Sequence, residues 1–264
     1  MARPFASLLI AIVTLATAAR LLAGPPFQTD DPEPVPYGHY EGYVFSTLDR
    51  SQGTTASQAP AFEFNVGAAP NLQLHVVVPI AGVSPGTRGL GDIELGVKYR
   101  FVDEAPTRPQ IGVFPMFELP TGDRVRGLGN GHLWLRLPLW IQKSRGPWTT
   151  YGGAGVTINH AAGMKNAPFG GWLLQRQTTQ RLTIGGEVFH QGAPSKDSRA
   201  STVFDAGGYY TLHGALTLLF MAGHSIAGES HTVGYIGLYY AWGIDHPGSP
   251  SEAIRSMPEV TSAR

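Results

Sequence analysis

The chain has 264 residues, of which 42% are hydrophobic and 14% charged, with 34 glycines, 21 prolines, no cysteine and a formal net charge of zero at pH 7. The low charge content and the ample aromatic content argue against a disordered chain. The balance of positive and negative charges argues against nucleic-acid binding, which requires a basic surface. The absence of cysteine excludes disulfides, thiolate metal ligands and cysteine nucleophiles.

Residues 1–23 are predicted to be a signal peptide. Arg3 precedes an almost entirely apolar run from Pro4 to Ala18, and small residues allow cleavage near residue 19 or 23. The run is shorter than the ~20 residues of a spanning helix, and no other run approaches that length. A membrane-embedded mature chain would therefore have to cross with strands.

Residues 24–36 follow as a proline-rich segment that contains Asp30, Asp31 and Glu33. We predict a solvated periplasmic leader held extended by its prolines. The alternative is a plug or gate that enters the barrel mouth on the side of the short turns and pairs with Lys98 or Arg100.

From residue 37 to 242 the sequence alternates between apolar and polar positions, as strands do. Between Asp92 and Phe101 every odd position is apolar, whereas Glu94, Lys98 and Arg100 occupy even positions. We predict about twelve strands, near residues 38–48, 60–68, 71–79, 90–102, 109–119, 131–143, 148–159, 168–178, 181–191, 201–212, 215–225 and 231–242. Pro115 and Pro138 fall inside two of them, and each removes a ladder donor, so we expect a bulge or a break there.

The connections alternate in length, which indicates how the strands are arranged. At one end of the strands, neighbouring strands are connected by turns of two to six residues. At the other end we predict longer connections rich in Gly, Ser, Pro and Asp, at 49–59, 80–89, 120–130, 160–167, 192–200 and 226–230. This rhythm is typical of an all-β, up-and-down antiparallel transmembrane barrel with short periplasmic turns and longer extracellular loops. A soluble exported barrel or sandwich, with its apolar positions facing inward, is the rival. Residues 243–264 are predicted to be a flexible tail.

Three stretches resemble motifs of the bacterial meta-pathway phenol degradation family. They are GPPFQTDDPEP at 24–34, GLGDIELGVKYRF at 89–101 and FELPTGD at 117–123. The resemblance implies an exported outer-membrane barrel, often described as a transporter, with a link to aromatic catabolism. The tail beyond Trp242 departs from the terminal aromatic residue of many outer-membrane barrels.

If the apolar positions face lipid, charged side chains collect in the lumen. The candidates for a lumenal constriction are Glu63, Asp92, Glu94, Lys98, Arg100, Glu118, Arg136, Glu187 and Asp205. We predict passive uptake of small, aromatic or amphiphilic solutes through a mixed-charge conduit. The alternative is a closed lumen filled by aromatic side chains and ion pairs, with a structural or surface-interaction role. The expected partners are outer-membrane lipid and a small solute, no cofactor or nucleic acid is implied, and the oligomeric state is open.

A lipid hydrolase is the remote alternative, since His190, Thr202 and His224 are predicted near the loop-side rim. Ser225 follows His224 directly, but neighbours in a strand face opposite sides, so the two cannot form a nucleophile and base pair. The nine histidines show no metal-binding spacing. The sequence therefore predicts neither catalysis nor a metal site.

Overall fold

A computed structural model describes residues 25–51 and 53–243 of the chain. The predicted signal peptide at 1–23 and the tail after Gly243 lie outside these described residues. Fourteen strands form one antiparallel sheet: β1 His39–Ser51, β2 Thr54–Ala69, β3 Leu72–Val83, β4 Thr87–Leu90, β5 Ile93–Val102, β6 Gln110–Val113, β7 Met116–Leu119, β8 Trp134–Arg145, β9 Trp148–Asn159, β10 Ala167–Gln177, β11 Leu182–Gln191, β12 Ser201–His213, β13 Leu216–Gly228 and β14 His231–Gly243. No helix in this part of the chain is long and apolar enough to cross a membrane.

The sheet closes on itself, because β1 pairs with β2 on one side and with the last strand, β14, on the other. Two wall strands are each interrupted once. The strand beside β3 consists of β4 and β5, and the strand between β5 and β8 consists of β6 and β7. The wall thus has twelve strands, which confirms the predicted barrel.

The apolar side chains face outward. In β5, Leu95 and Tyr99 are 40% and 46% exposed, whereas Lys98 between them is 4% exposed. Leu238 and Tyr240 of β14 are likewise 44% and 50% exposed. A water-soluble barrel would have the opposite arrangement, so this exterior fits acyl chains and excludes the soluble rival.

Aromatic rings surround the seam where β1 meets β14. Tyr40 stacks on Trp242 and on Phe64, with ring centroids 5.8 Å and 6.0 Å apart, and Tyr240 stacks on Trp242 at 5.9 Å. These residues lie at the end of the strands that carries the short turns, here called the turn end. Such clusters are typical of the girdles at a membrane interface.

Tight turns join the strands at the turn end. Asn71, Gly146 and Gly214 have φ values of 62°, 58° and 55°, as two-residue hairpin turns require. At the opposite, loop end, the predictions for three connections are wrong. The connection predicted at 226–230 is only a two-residue turn, because β13 continues to Gly228 and β14 begins at His231. Residues 49–59 and 80–89 are mostly strand, because cross-strand pairing continues from β1 to β2 up to Ser51 and Thr54, and from β3 to β4. Longer connections remain before β8, β10 and β12.

Candidate functional site

The N-terminal segment, residues 25–38, lies inside the barrel. It precedes β1, which begins at the turn end, and extends from there into the lumen. The backbone N–H groups of Gln28 and Thr29 donate to the two carboxylate oxygens of Glu187, at 2.9 Å and 2.7 Å. Closer to the turn end, the Val35 N–H donates to the side chain of Gln73 at 2.9 Å. The prediction of a solvated leader is therefore wrong, and the alternative of a lumenal insert describes this segment.

Sequence position alone could not decide between the two, because the anchor Glu187 is 158 residues from Thr29. An extended, proline-rich segment has few internal backbone hydrogen bonds, so its amides and carboxylates need partners from elsewhere. In the folded chain the barrel wall supplies those partners.

Lys98 makes the ionic contact to the N-terminal segment. Its Nζ lies 2.9 Å from Asp30 Oδ1 and 3.5 Å from Asp31 Oδ2, and the Asp31 side chain is fully buried. Glu33 accepts side-chain hydrogen bonds from Gln110 and Gln142, both at 3.3 Å.

Glycines in the wall make room for the N-terminal segment. A Cβ at Gly171 would lie 2.1 Å from Thr29 Oγ1, and a Cβ at Gly67 would lie 2.0 Å from the backbone oxygen of Pro36. Such approaches are closer than any side chain allows. These glycines of β10 and β2 are therefore part of the seat for the inserted chain.

The part of the lumen beside β9 to β13 is packed. Tyr151, Leu173 and Leu219 are at most 1% exposed, and Phe27 of the N-terminal segment lies edge-on to Tyr209 with ring centroids 6.4 Å apart. This half of the barrel resembles the filled interior of the closed-lumen alternative.

The other half of the lumen holds a cavity of about 1650 Å³. Asp49, Val83 and Leu128 line it toward the loop end, and Asn71 and Arg100 line it toward the turn end. The N-terminal segment forms one of its sides. Space for a small solute therefore extends along the wall from β1 to β8, beside the insert.

The lining of this cavity is predominantly acidic. Its basic residues are Lys98, Arg100, Arg136 and His75. Nine carboxylates face them: Asp30, Asp31, Glu33, Glu41, Asp49, Glu63, Asp92, Glu94 and Glu118. The cavity lining therefore carries more negative than positive charge.

His75 connects two of the predicted lumenal carboxylates. Its Nε2 lies 3.0 Å from Glu94 Oε1, and its Nδ1 lies 3.5 Å from Glu63 Oε1 and 2.7 Å from Asn65 Oδ1. The alternation in β3 put His75 on the polar face but gave no hint of this cluster, which depends on the register of β2, β3 and β5.

The nine predicted residues divide between two places. Seven of the nine candidates line the cavity: Glu63, Asp92, Glu94, Lys98, Arg100, Glu118 and Arg136. Glu187 and Asp205 lie instead on the packed side, where both contact Gln28. Glu187 accepts the Gln28 backbone N–H, and Asp205 Oδ2 lies 3.5 Å from Gln28 Nε2. Asp92 holds the loop before β8, since it accepts the N–H groups of Gly122 and Asn130.

The rim residues considered for catalysis point away from the lumen. His190 and His224 are exposed and contact the hydroxyls of Thr202 and Thr232, each at 2.9 Å. Ser225 accepts the backbone N–H of His231 at 2.8 Å on the other face of β13. Within residues 25–51 and 53–243, no three His, Asp or Glu side chains are grouped to hold a metal ion.

No protein-family profile matches the chain, and no curated protein matches it in sequence. Its fold is similar to that of an outer-membrane channel from Pseudomonas putida F1, with a TM-score of 0.61 and 14% identity over 80% of this chain and 98% of that one. The NanC porin has a TM-score of 0.55 at 6% identity, covering 75% and 98% of the two chains. The KdgM porin, solved with disordered oligogalacturonate, has a TM-score of 0.55 at 9% identity, covering 76% and 99%.

These neighbours are barrels of the bacterial outer membrane, and the chain has the same architecture with a lipid-compatible exterior. The chain is an outer-membrane β-barrel. The resemblance to the phenol degradation family stays a prediction.

Proposed function

We propose that the chain is a passive channel for small solutes, which move through the cavity beside the N-terminal segment. The observation that carries this function is the cavity of about 1650 Å³, whose lining reaches from Asp49 near the loop end to Asn71 at the turn end. A barrel with a purely structural role has no need for polar space of that extent. Small aromatic or amphiphilic solutes fit a lining that combines carboxylates with Phe114, Trp140 and Tyr235.

The charge of the lining sets the expected selectivity. Nine carboxylates against three Lys or Arg side chains favour cations and neutral solutes over anions. One carboxylate at about 8 Å in water stabilises a monovalent cation by about 0.5 kcal/mol and destabilises a monovalent anion by about the same amount. Its loss therefore changes the ratio of cation to anion permeability about five-fold. The constriction residues of this proposal are Glu94, Glu118 and Arg136.

The experiment is the reversal potential of single channels in a planar bilayer under a KCl gradient. We expect a cation preference that falls in Glu94→Gln and rises in Arg136→Gln. Asp197→Asn is the matched control, because Asp197 is exposed and outside the cavity lining, and its substitution should leave the reversal potential unchanged. An anion preference in the parent protein, or equal effects of all three substitutions, would contradict the proposal.

A closed barrel is the second candidate, and the inserted segment is the observation that favours it. In that case the folded protein would carry no unitary current, and removal of residues 25–35 would be needed before any current appeared.

A further inference from the structure

A row of polar side chains crosses the barrel wall at the loop end, over the seam where β14 meets β1. His224 of β13 is paired with Thr232 of β14, and Thr232 is paired with Arg50 of β1. Arg50 is paired in turn with Thr55 of β2. Directly opposed residues of an antiparallel sheet have their side chains on the same face. Because neighbouring strands are about 4.8 Å apart, these side chains form one row about 14 Å long.

The row lies on the lipid-facing side of the wall. Leu48 precedes Arg50 by two residues and therefore shares its face of β1. This leucine is 44% exposed, and Phe204, which is paired with His224, is 49% exposed. Arg50 and His224 are themselves exposed. Arg50 is also one residue from the end of β1, so the row lies at the border between the apolar exterior and the loops.

The outer side of these strands carries positive charge without carboxylates. β13 and β14 contain no Asp or Glu. The carboxylates of β1 and β2 are Glu41, Asp49 and Glu63, and all of them line the cavity on the other side of the wall. Asp49, although next to Arg50 in the sequence, lies 2.8 Å from His231 Nδ1. The charge of Arg50 is therefore left to face a partner outside the barrel.

Hydrogen bonds to threonine orient the histidines on this side of the wall. His224 Nδ1 lies 2.9 Å from Thr232 Oγ1. The same pairing recurs in β11 and β12, where His190 Nδ1 lies 2.9 Å from Oγ1 of the directly opposed Thr202. Since Nδ1 contacts the threonine in each pair, Nε2 is the ring nitrogen that can contact a ligand. Polar groups on a face that otherwise contacts acyl chains require a polar partner.

The leaflet at this end of the barrel indicates what that partner is. The short turns of bacterial outer-membrane barrels are periplasmic, so the loop end lies in the outer leaflet. The lipid A headgroups of that leaflet carry phosphates. A guanidinium group binds a phosphate through two parallel N–H donors, and histidine and threonine side chains supply further donors. A basic surface without carboxylates is thus complementary in charge to this headgroup.

We propose that Arg50, Thr232 and His224 form a binding site for a phosphate group of lipid A in the outer leaflet. Arg50 supplies the charge and paired donors, and His224 donates from Nε2. The acyl chains of the same lipid lie along the apolar surface that includes Leu48 and Phe204. A bound phosphate bridges β13, β14 and β1, and therefore fastens the first strand of the barrel to the last. The site is outside the lumen and does not depend on the passage of solutes.

Lipid A binding to the purified, detergent-folded protein tests this site. Diphosphoryl lipid A and an analogue that lacks both phosphates are titrated separately, and bound lipid is counted by native mass spectrometry. The variants are Arg50→Gln and His224→Gln. The matched control is Arg176→Gln, which removes an exposed arginine at the turn end, where its guanidinium carbon lies 5.2 Å from the centroid of the Trp148 ring. The mobility of unheated samples in gel electrophoresis verifies that each barrel is folded.

We expect Arg50→Gln to weaken the binding of diphosphoryl lipid A about ten-fold, because hydrogen bonds between charged groups are lost. His224→Gln should weaken it by a smaller factor, and Arg176→Gln should bind like the parent. The parent should bind the phosphate-free analogue no more tightly than Arg50→Gln does. Excess inorganic phosphate should not displace the lipid, because the acyl chains contribute much of the affinity.

Equal affinity of the parent protein for the two lipids would overturn the proposal. This comparison needs no substitution, so it decides the matter even if a variant does not fold. Unchanged affinity in Arg50→Gln, or an equal loss in Arg50→Gln and Arg176→Gln, would also overturn it, since neither outcome is compatible with a site at this row. Displacement by inorganic phosphate would indicate a site for free anions instead of a lipid site.

Discussion

Replacement of Lys98 by Met should release the N-terminal segment from the lumen. The Lys98 side chain is 5% exposed, and its Nζ is 2.9 Å from Asp30 and 3.5 Å from Asp31, whose side chain is fully buried. Methionine keeps most of the length of the lysine stem, so the substitution removes the charge with little change of shape. Two carboxylates then remain without their counter-charge.

Breaking a buried ion pair by removal of one partner costs about 3 to 5 kcal/mol. The adjoining cavity can hydrate part of the site, so the lower end applies, and about 3 kcal/mol corresponds to roughly a hundred-fold rise in the ratio of released to inserted segment. The hydrogen bonds from the Gln28 and Thr29 N–H groups to Glu187 remain in this variant. They should keep part of the molecules in the inserted state.

Single-channel recording measures this ratio as the fraction of time spent at a larger conductance. We expect Lys98→Met to raise that fraction about a hundred-fold, or to saturate it. The matched control adds Asp30→Asn and Asp31→Asn to the same protein, which removes the uncompensated charge and should return the fraction toward that of the parent. Identical dwell times in parent and Lys98→Met would refute the claim that this ion pair holds the segment in place.

Three further substitutions test other parts of the architecture. Gly171→Ala should displace the N-terminal segment and so enlarge the unitary conductance, because its Cβ would lie 2.1 Å from Thr29 Oγ1. Gly186→Ala is the control, since its Cβ would have no atom closer than 3.5 Å and the conductance should not change. Equal conductance in both variants would argue against Gly171 as part of the seat of the segment. Leu238→Arg should lower the free energy of folding into vesicles by about 2 to 4 kcal/mol in urea titrations, and an unaltered midpoint would contradict a lipid-facing Leu238. Asp92→Ala removes two hydrogen bonds to a carboxylate, each contributing about 1.5 to 3 kcal/mol. Hydrogen exchange in the loop before β8 should accelerate, and unchanged protection would show that Asp92 does not hold this loop.

The wall of the barrel could be predicted from the sequence because the alternation of apolar and polar residues that defines each strand is local. Each strand displays its two faces within ten residues, so the outward Leu95 and the inward Lys98 follow from the alternation in β5. The break expected at Pro115 lies between β6 and β7, for the local reason that proline has no N–H. Pro138 differs, since it stays within β8 without a register shift, and the effect of its missing donor appears on the neighbouring strand.

The contents of the lumen were harder to predict because they depend on long-range contacts. Nothing near Glu187 in the sequence indicates that it accepts backbone N–H groups from Gln28 and Thr29. The same holds for His75 between Glu63 and Glu94, where the contact requires three strands in register. Polar alternation shows which side chains enter the lumen, but their partners are fixed only by barrel closure and by the inserted segment.

An open path beside the N-terminal segment is tested most directly by the current through single molecules of the intact protein, refolded with this segment in place and inserted into a planar bilayer in KCl. We expect discrete unitary currents that are small, because the segment occupies part of the lumen, and that become larger when residues 25–35 are removed. Folded, inserted protein that carries no current until the segment is removed would contradict an open path beside it.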